Sequence, residues 1–154
     1  MQLILHHHRK SGFSLIEVLI FITVMSLFFV SAAAVVSVVV KNMKVNEHKI
    51  LGTRFAQEAV EWVRSEKEID WNAFSERAPS TGSPSEYCLN SLAWNSMPCD
   101  YSLKTLYQRT VTLKSIESVG GYKYQVDVSV LVKWNEPGRT YSVPVNTTFS
   151  IWEQ

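Results

Sequence analysis

Residues 10–20 read KSGFSLIEVLI, and the apolar run that they begin continues from Val18 to Val40 without a charged residue, Gly or Pro. A helix of that length crosses the hydrocarbon layer of a bilayer, which is about 30 Å thick. Arg9 and Lys10 precede the run, and basic flanks stay on the cytoplasmic side of a membrane. The sequence therefore predicts one membrane span, with a cytoplasmic N terminus and an exported remainder.

A cleavable secretory signal is the alternative interpretation of this segment. The small residues Ala32–Ala34 offer a cleavage site in principle, but the apolar run continues beyond them to Val40. The apolar core of a secretory signal has about 7–15 residues and does not normally begin beside a carboxylate such as Glu17. The length and the carboxylate favour a retained span.

The stretch from Lys10 to Ile20 resembles the class III signal of type IV prepilins and of the pseudopilins of type II secretion systems. The resemblance implies that residues 1–12 are a leader, which a prepilin peptidase removes by cutting between Gly12 and Phe13. It also implies that the peptidase methylates the new amine of Phe13. Glu17 then matches the family's glutamate, the fifth residue of the mature chain.

A charged side chain in an apolar span costs about 2.5–3.5 kcal/mol at the bilayer centre, so Glu17 needs a partner. Cleavage after Gly12 creates a protonated amine on Phe13, and methylation keeps that amine positive. We predict that the amine of an incoming subunit pairs with Glu17 of its neighbour in a filament. The alternative is that Ser14 and Glu17 only form a capping box at the start of the helix.

Beyond the span the pattern becomes amphipathic, which predicts a helix from Phe13 to about Asp70. Its first half, residues 13–40, would lie in the membrane or the filament core, and residues 41–71 would form its exported half. Gly52 is a weak point in this helix. The apolar stripe predicted to pack on a sheet consists of Leu51, Phe55, Ala59 and Trp62.

Residues 72–102 contain several Pro, Ser and Asn residues without a sustained period, so we predict a long loop. Cys88 and Cys99 lie in it, outside any CxxC or His-rich metal pattern. In an exported domain they predict one disulfide, worth roughly 2–3 kcal/mol. Two reduced thiols are the alternative.

Residues 103–154 change to a period of two, which is typical of strands. Glu136-Pro137-Gly138-Arg139 suits a type II turn between the last two strands, and Pro144 indicates an edge strand. The apolar sheet face needs the helix as cover. The predicted fold is therefore α+β and pilin-like, with a long N-terminal helix on an antiparallel sheet of three to four strands.

Composition argues against several functional classes. The 15 basic and 14 acidic residues become 13 and 14 once Arg9 and Lys10 are removed, so the mature chain is nearly neutral. General polyanion binders instead carry clustered cations. His48 is the one histidine after the leader and reads as a solvated helix residue, so no catalytic site, metal or cofactor is predicted. Trp71 and Trp94 are expected to pack in the core.

These observations predict a non-enzymatic, minor-pilin-like structural subunit of a type IV pilus or related filament. Its expected partners are a prepilin peptidase, other pilin subunits, an inner-membrane assembly platform and, before assembly, membrane lipid. The lack of Pro and Gly in the membrane half departs from many major pilins. The alternatives are a type II secretion pseudopilin, an uncleaved bitopic ligand-binding protein, and a DNA-uptake pilin that binds nucleic acid through Lys104, Lys114, Lys123 or Lys133.

Overall fold

The computed structural model describes residues 12, 14–79, 83–120 and 122–152. The chain divides into two compact units, one up to Lys44 and one from Val45 onward. In chain order the elements are helices α1 (Leu15–Ile69) and α2 (Trp71–Glu76), and strands β1 (Ser85–Cys88), β2 (Tyr107–Val119), β3 (Tyr122–Glu136) and β4 (Arg139–Ser150).

Helix α1 confirms the long helix predicted from the apolar and amphipathic patterns, with slightly narrower bounds. It ends at Ile69 because Asp70 leaves the helical conformation, with φ −155° and ψ 100°. The Asp70 carboxylate then accepts hydrogen bonds from the amides of Asn72 and Ala73, which caps the start of α2. One acidic side chain therefore separates the two helices.

The prediction of a continuous loop over residues 72–102 is wrong in part. The segment contains most of α2 and all of β1, which pairs antiparallel with β2 and places Cys88 opposite Thr110. Elements of four to six residues are too short to show a period in the sequence. The disulfide between Cys88 and Cys99 is confirmed, and it closes the remaining loop against the end of β1.

The four strands form an antiparallel sheet in the order β1-β2-β3-β4. The predicted turn between the last two strands is confirmed, and Gly138 has the positive φ, 83°, that the third position of a type II turn requires. Strand β4 lies at the edge, as Pro144 indicates, because a proline has no amide to donate to a further strand.

The core lies between one face of this sheet and residues of the second half of α1. Alternate residues of β3 from Val126 to Trp134 are buried, which matches the predicted period of two. Apart from Lys67, the buried residues of the helix are small: Gly52, Ala56, Ala59, Val60 and Val63. Of the predicted stripe, Ala59 is fully buried, whereas Leu51, Phe55 and Trp62 are half-buried at its margin.

Small residues occupy the centre of the helix face because the helix lies close to the sheet. A Cβ atom on Gly52 would lie 3.1 Å from Cζ3 of Trp134 and 3.4 Å from Cγ2 of Val143. Trp134 is itself fully buried. Gly52, a weak point by helix propensity, therefore provides the space that the indole ring fills.

Arg109 is a buried cation that joins the helix to the loop after β1. Its side chain is almost fully buried on the helix-facing side of β2. The guanidinium donates to the carbonyl oxygens of Leu89 and Phe55, and it contacts the Glu58 carboxylate at 2.7 Å. Buried charges persist in proteins where they are paired and hydrogen-bonded, and this one is both.

Replacing Gly52 with Leu should lower the free energy of unfolding by about 1–3 kcal/mol, the usual cost of overpacking a core. Chemical unfolding of the full chain in detergent micelles, followed by tryptophan fluorescence, measures the change. Gln57→Leu at an exposed position of the same helix is the control, and it should stay within about 0.5 kcal/mol of the wild type. Equal stability of the two variants would contradict close helix–sheet contact.

Replacing Arg109 with Met should lower the free energy of unfolding by about 2–3 kcal/mol, because buried carbonyl oxygens lose their donors. The half-exposed Glu58 adds less, since water screens its charge. Arg64→Met is the matched control, because Arg64 pairs with Glu61 at the surface and such pairs contribute less than about 1 kcal/mol. A cost for Arg109→Met no larger than that of the control would show that the buried contacts contribute little.

Candidate functional site

The first half of α1 presents large apolar side chains on every side. Every large apolar residue from Leu15 to Val40 is at least partly exposed, and most are more than half exposed. The uncharged stretch from Val18 to Val40 is roughly 35 Å long at 1.5 Å per residue, which exceeds the hydrocarbon thickness of a bilayer. Among the described residues, α1 is the helix that is long and apolar enough to cross a membrane.

The hydroxyl groups within this segment are all satisfied inside the helix. Thr23, Ser26 and Ser31 each donate to the carbonyl oxygen three residues earlier, and Ser37 donates to that of Ala33. Lipid offers no hydrogen-bond partners, so a polar group in a membrane span must find its partner within the protein. The local bonds therefore make these four residues compatible with a lipid surrounding.

Glu17 is the one charged residue between Leu15 and Val40. It lies in the first turn of α1 and is exposed. Among the residues that the structure describes, no hydrogen bond or ion pair involves its carboxylate. The expected pairing of Glu17 with an amine at Phe13 stays a prediction, because Phe13 lies outside the described residues.

Ser14 lies at the N-cap position of α1. Its carbonyl oxygen accepts hydrogen bonds from the amides of Glu17 and Val18, at 3.0 and 3.2 Å. Within the described residues its hydroxyl makes no such bond to Glu17, so the predicted side-chain cap stays a prediction. Gly12 is described and exposed, whereas Phe13, the predicted site of cleavage and methylation, lies outside the described residues.

The arrangement defines a class of protein: a helix suited to a membrane, continuous with a helix that packs on a four-stranded antiparallel sheet, in a pilin-like α+β fold. A family model described as the prokaryotic N-terminal methylation motif matches residues 7–33. The chain therefore carries a type IV prepilin-like signal. Searches among curated proteins and among solved structures found no match.

The motif has functional consequences at a coarse level. It is the signal of type IV pilin and pseudopilin substrates of prepilin peptidase, and it points to a structural subunit that assembles with other pilins. The apolar helix that follows fits insertion into a membrane. Among the described residues there is no group of three or more His, Cys, Asp or Glu side chains placed to hold a metal ion.

His48 corrects an expectation from the sequence. It is half-buried, not solvated, and a hydrogen bond of 2.7 Å joins its Nδ1 to the hydroxyl of Tyr107. Burial raises the pKa of Tyr107, with smaller contributions from the carboxylates of Glu47 and Glu136. This aromatic contact helps to hold β2 against α1.

The two tryptophans are partly buried and pack against the core, and each also has a hydrogen-bond partner. The indole NH of Trp94 donates to Glu66 at 2.8 Å, and its ring lies 4.9 Å from that of Trp62. The indole NH of Trp71 donates to the carbonyl oxygen of Lys123 at 3.0 Å. Trp94 thereby fixes the disulfide loop to α1, in addition to the contacts of Arg109.

The four lysines considered for nucleic acid do not form one basic surface. Lys123 directs its amine to the carbonyl oxygens of Ser75 and Ala78, and Lys104 lies over the ring of Phe55. Lys114 pairs across the sheet with Asp127. Lys133 lies opposite Gln108 of β2. Gln108 is six residues from Lys114 along that strand, a distance of about 20 Å. Scattered cations do not follow a phosphate backbone.

Placing a charge in the middle of the apolar segment should weaken membrane insertion. Val30→Arg adds a cost of about 2.5–3.5 kcal/mol near the centre of the span. We expect a smaller fraction of the chain to remain in the membrane pellet after alkaline carbonate extraction. Asn46→Arg, at an exposed position beyond the span, is the control and should extract as the wild type does. Equal retention of the two variants would show that residues 18–40 do not cross the bilayer.

Proposed function

We propose that this chain is a minor, non-enzymatic subunit of a type IV pilus or a related filament. A prepilin peptidase cuts it after Gly12 and methylates Phe13, and the mature chain assembles through α1 with other pilin subunits at an inner-membrane platform. The observation that carries the proposal is the methylation motif at residues 7–33, followed by an exposed apolar helix whose one charge is Glu17.

Charge pairing couples processing to assembly in this proposal. The uncut chain has no cation close to Glu17 within the span, whereas the cut chain begins with a positive amine at Phe13. That amine and its own Glu17 are awkwardly placed for each other within one helix. Staggered neighbouring subunits bring the amine of one chain to Glu17 of the next, so only processed chains neutralise the carboxylate.

A minor subunit or a pseudopilin fits better than the bulk subunit of a pilus. Many major pilins of the type IV pilin family carry Pro and Gly in the membrane half of the helix, where the chain unwinds in the filament. Here α1 has neither residue from Val18 to Val40, and its hydroxyl groups make regular bonds within the helix. A pseudopilin of type II secretion uses the same chemistry of insertion, cleavage and pairing.

Glu17→Gln separates pairing from capping, because glutamine also caps helices but carries no charge. We expect the variant to insert and to be cut normally. Its incorporation into filaments should fall at least tenfold, since losing one partner of a buried ion pair costs about 3–5 kcal/mol. The measurement is the ratio of subunit in sheared filaments to subunit in membranes, in a host that expresses its peptidase and assembly proteins.

Glu68→Gln is the matched control, because Glu68 is an exposed carboxylate of the same helix outside the apolar segment. It should assemble as the wild type does. Normal incorporation of Glu17→Gln would overturn the pairing step of the proposal. Loss of cleavage in the same variant would instead place Glu17 in recognition by the peptidase.

A further inference from the structure

Aromatic side chains are exposed at the end of the domain where α1 ends. Tyr122 is 72% exposed and Trp152 is 65% exposed, although rings of this size dominate burial in most folds. Tyr122 begins β3 and Trp152 follows β4, so the sheet itself brings the two residues to one end. Exposed apolar surface that is collected in one place is a sign of a binding site.

The rings surround a shallow depression of about 240 Å³, which Trp71, Tyr122 and Tyr124 line. Trp152 stacks on Tyr124, with ring centroids 5.5 Å apart and planes inclined by 21°, and so extends the aromatic surface beside the depression. The indole NH of Trp71 is bonded to the carbonyl oxygen of Lys123, which fixes that ring. The depression is thus lined by aromatic rings, of which that of Trp71 is held by a hydrogen bond.

Helix α2 also contributes polar groups to the lining of the depression. Asn72 and Glu76 are exposed, and among the described residues neither side chain has a hydrogen-bond or ion-pair partner. Lys123 also lines the depression, but its amine is already bonded to the carbonyl oxygens of Ser75 and Ala78. The available groups therefore donate and accept hydrogen bonds without adding a free positive charge.

We propose that this depression binds one ring of a neutral saccharide. A sugar ring has an apolar face of C–H groups, which packs on a flat aromatic surface, and hydroxyl groups at its edge, which bond to carboxylate and amide side chains. The volume is smaller than that of pockets for drug-sized ligands, about 300–1,000 Å³, and suits a single ring. A phosphate-bearing ligand fits poorly, because the carboxylate of Glu76 repels it and the amine of Lys123 is engaged.

The proposal goes beyond filament assembly, since it gives the exported domain a ligand. Its residues belong to α2, β3 and the chain after β4, whereas the assembly step rests on residues 12–40. Failure of sugar binding would leave the processing and pairing proposal intact. Failure of assembly would likewise leave sugar binding by the isolated subunit unchanged.

The test uses the full chain in detergent micelles with cellotetraose, chitotetraose and maltotetraose, each up to 10 mM. Saturation-transfer difference NMR should show contact between at least one sugar and the protein, and tryptophan fluorescence should titrate with the same affinity. Tyr122→Ala and Trp152→Ala should each weaken that affinity by about tenfold, near the upper range measured for one aromatic contact.

Tyr101→Ala is the matched control, because Tyr101 is an exposed tyrosine outside the depression, and it should bind as the wild type does. Thermal unfolding of each variant shows that the fold is retained. No binding of any of the three sugars, or binding that both Tyr122→Ala and Trp152→Ala leave unchanged, would overturn the proposal. Self-association that these two variants abolish, without sugar binding, would overturn it in favour of a protein contact.

Discussion

The carboxylate of Glu17 is the constraint on which the account depends. It is the one charge in a helix segment whose other residues are uncharged from Leu15 to Val40, and its cost in lipid has to be offset by a cation. The methylation motif suggests a means, since the proposed cut after Gly12 would expose an amine four residues before Glu17. In the proposed function, this one unfavourable group links covalent processing, membrane insertion and subunit contact, because a positive terminus would neutralise it.

The second half of α1 packs against the sheet. Its central positions are small so that the helix lies close to the sheet, and Gly52 leaves space for the ring of Trp134. Arg109 and Trp94 then fasten the disulfide loop to the same helix through Glu58 and Glu66. One continuous helix thus has an exposed apolar first half and an amphipathic second half that packs on the sheet.

Much of the fold could be predicted, because the period of apolar residues in a long segment indicates a helix or a strand and shows which face is buried. The alternation from Val126 to Trp134 predicted the buried face of the sheet. The Pro137-Gly138 pair predicted the turn of the last hairpin. Strand β1 and helix α2 were missed because they are too short to display a period, and their stability comes from partners distant in sequence.

The burial of Arg109 was also missed. Its place between Tyr107 and Val111, on the inward face of an alternating strand, was the available signal. The hydrogen bond between His48 and Tyr107 could not be predicted from the sequence, because the two residues are 59 positions apart.

The central claim is that proteolysis after Gly12 creates the cation that Glu17 requires. The most direct measurement is the intact mass of the subunit purified from assembled filaments of a host with its own prepilin peptidase. We predict a subunit that begins at Phe13 and carries one additional methyl group. Assembled subunits that retain residues 1–12 would contradict it, because such chains lack the positive terminus at Phe13.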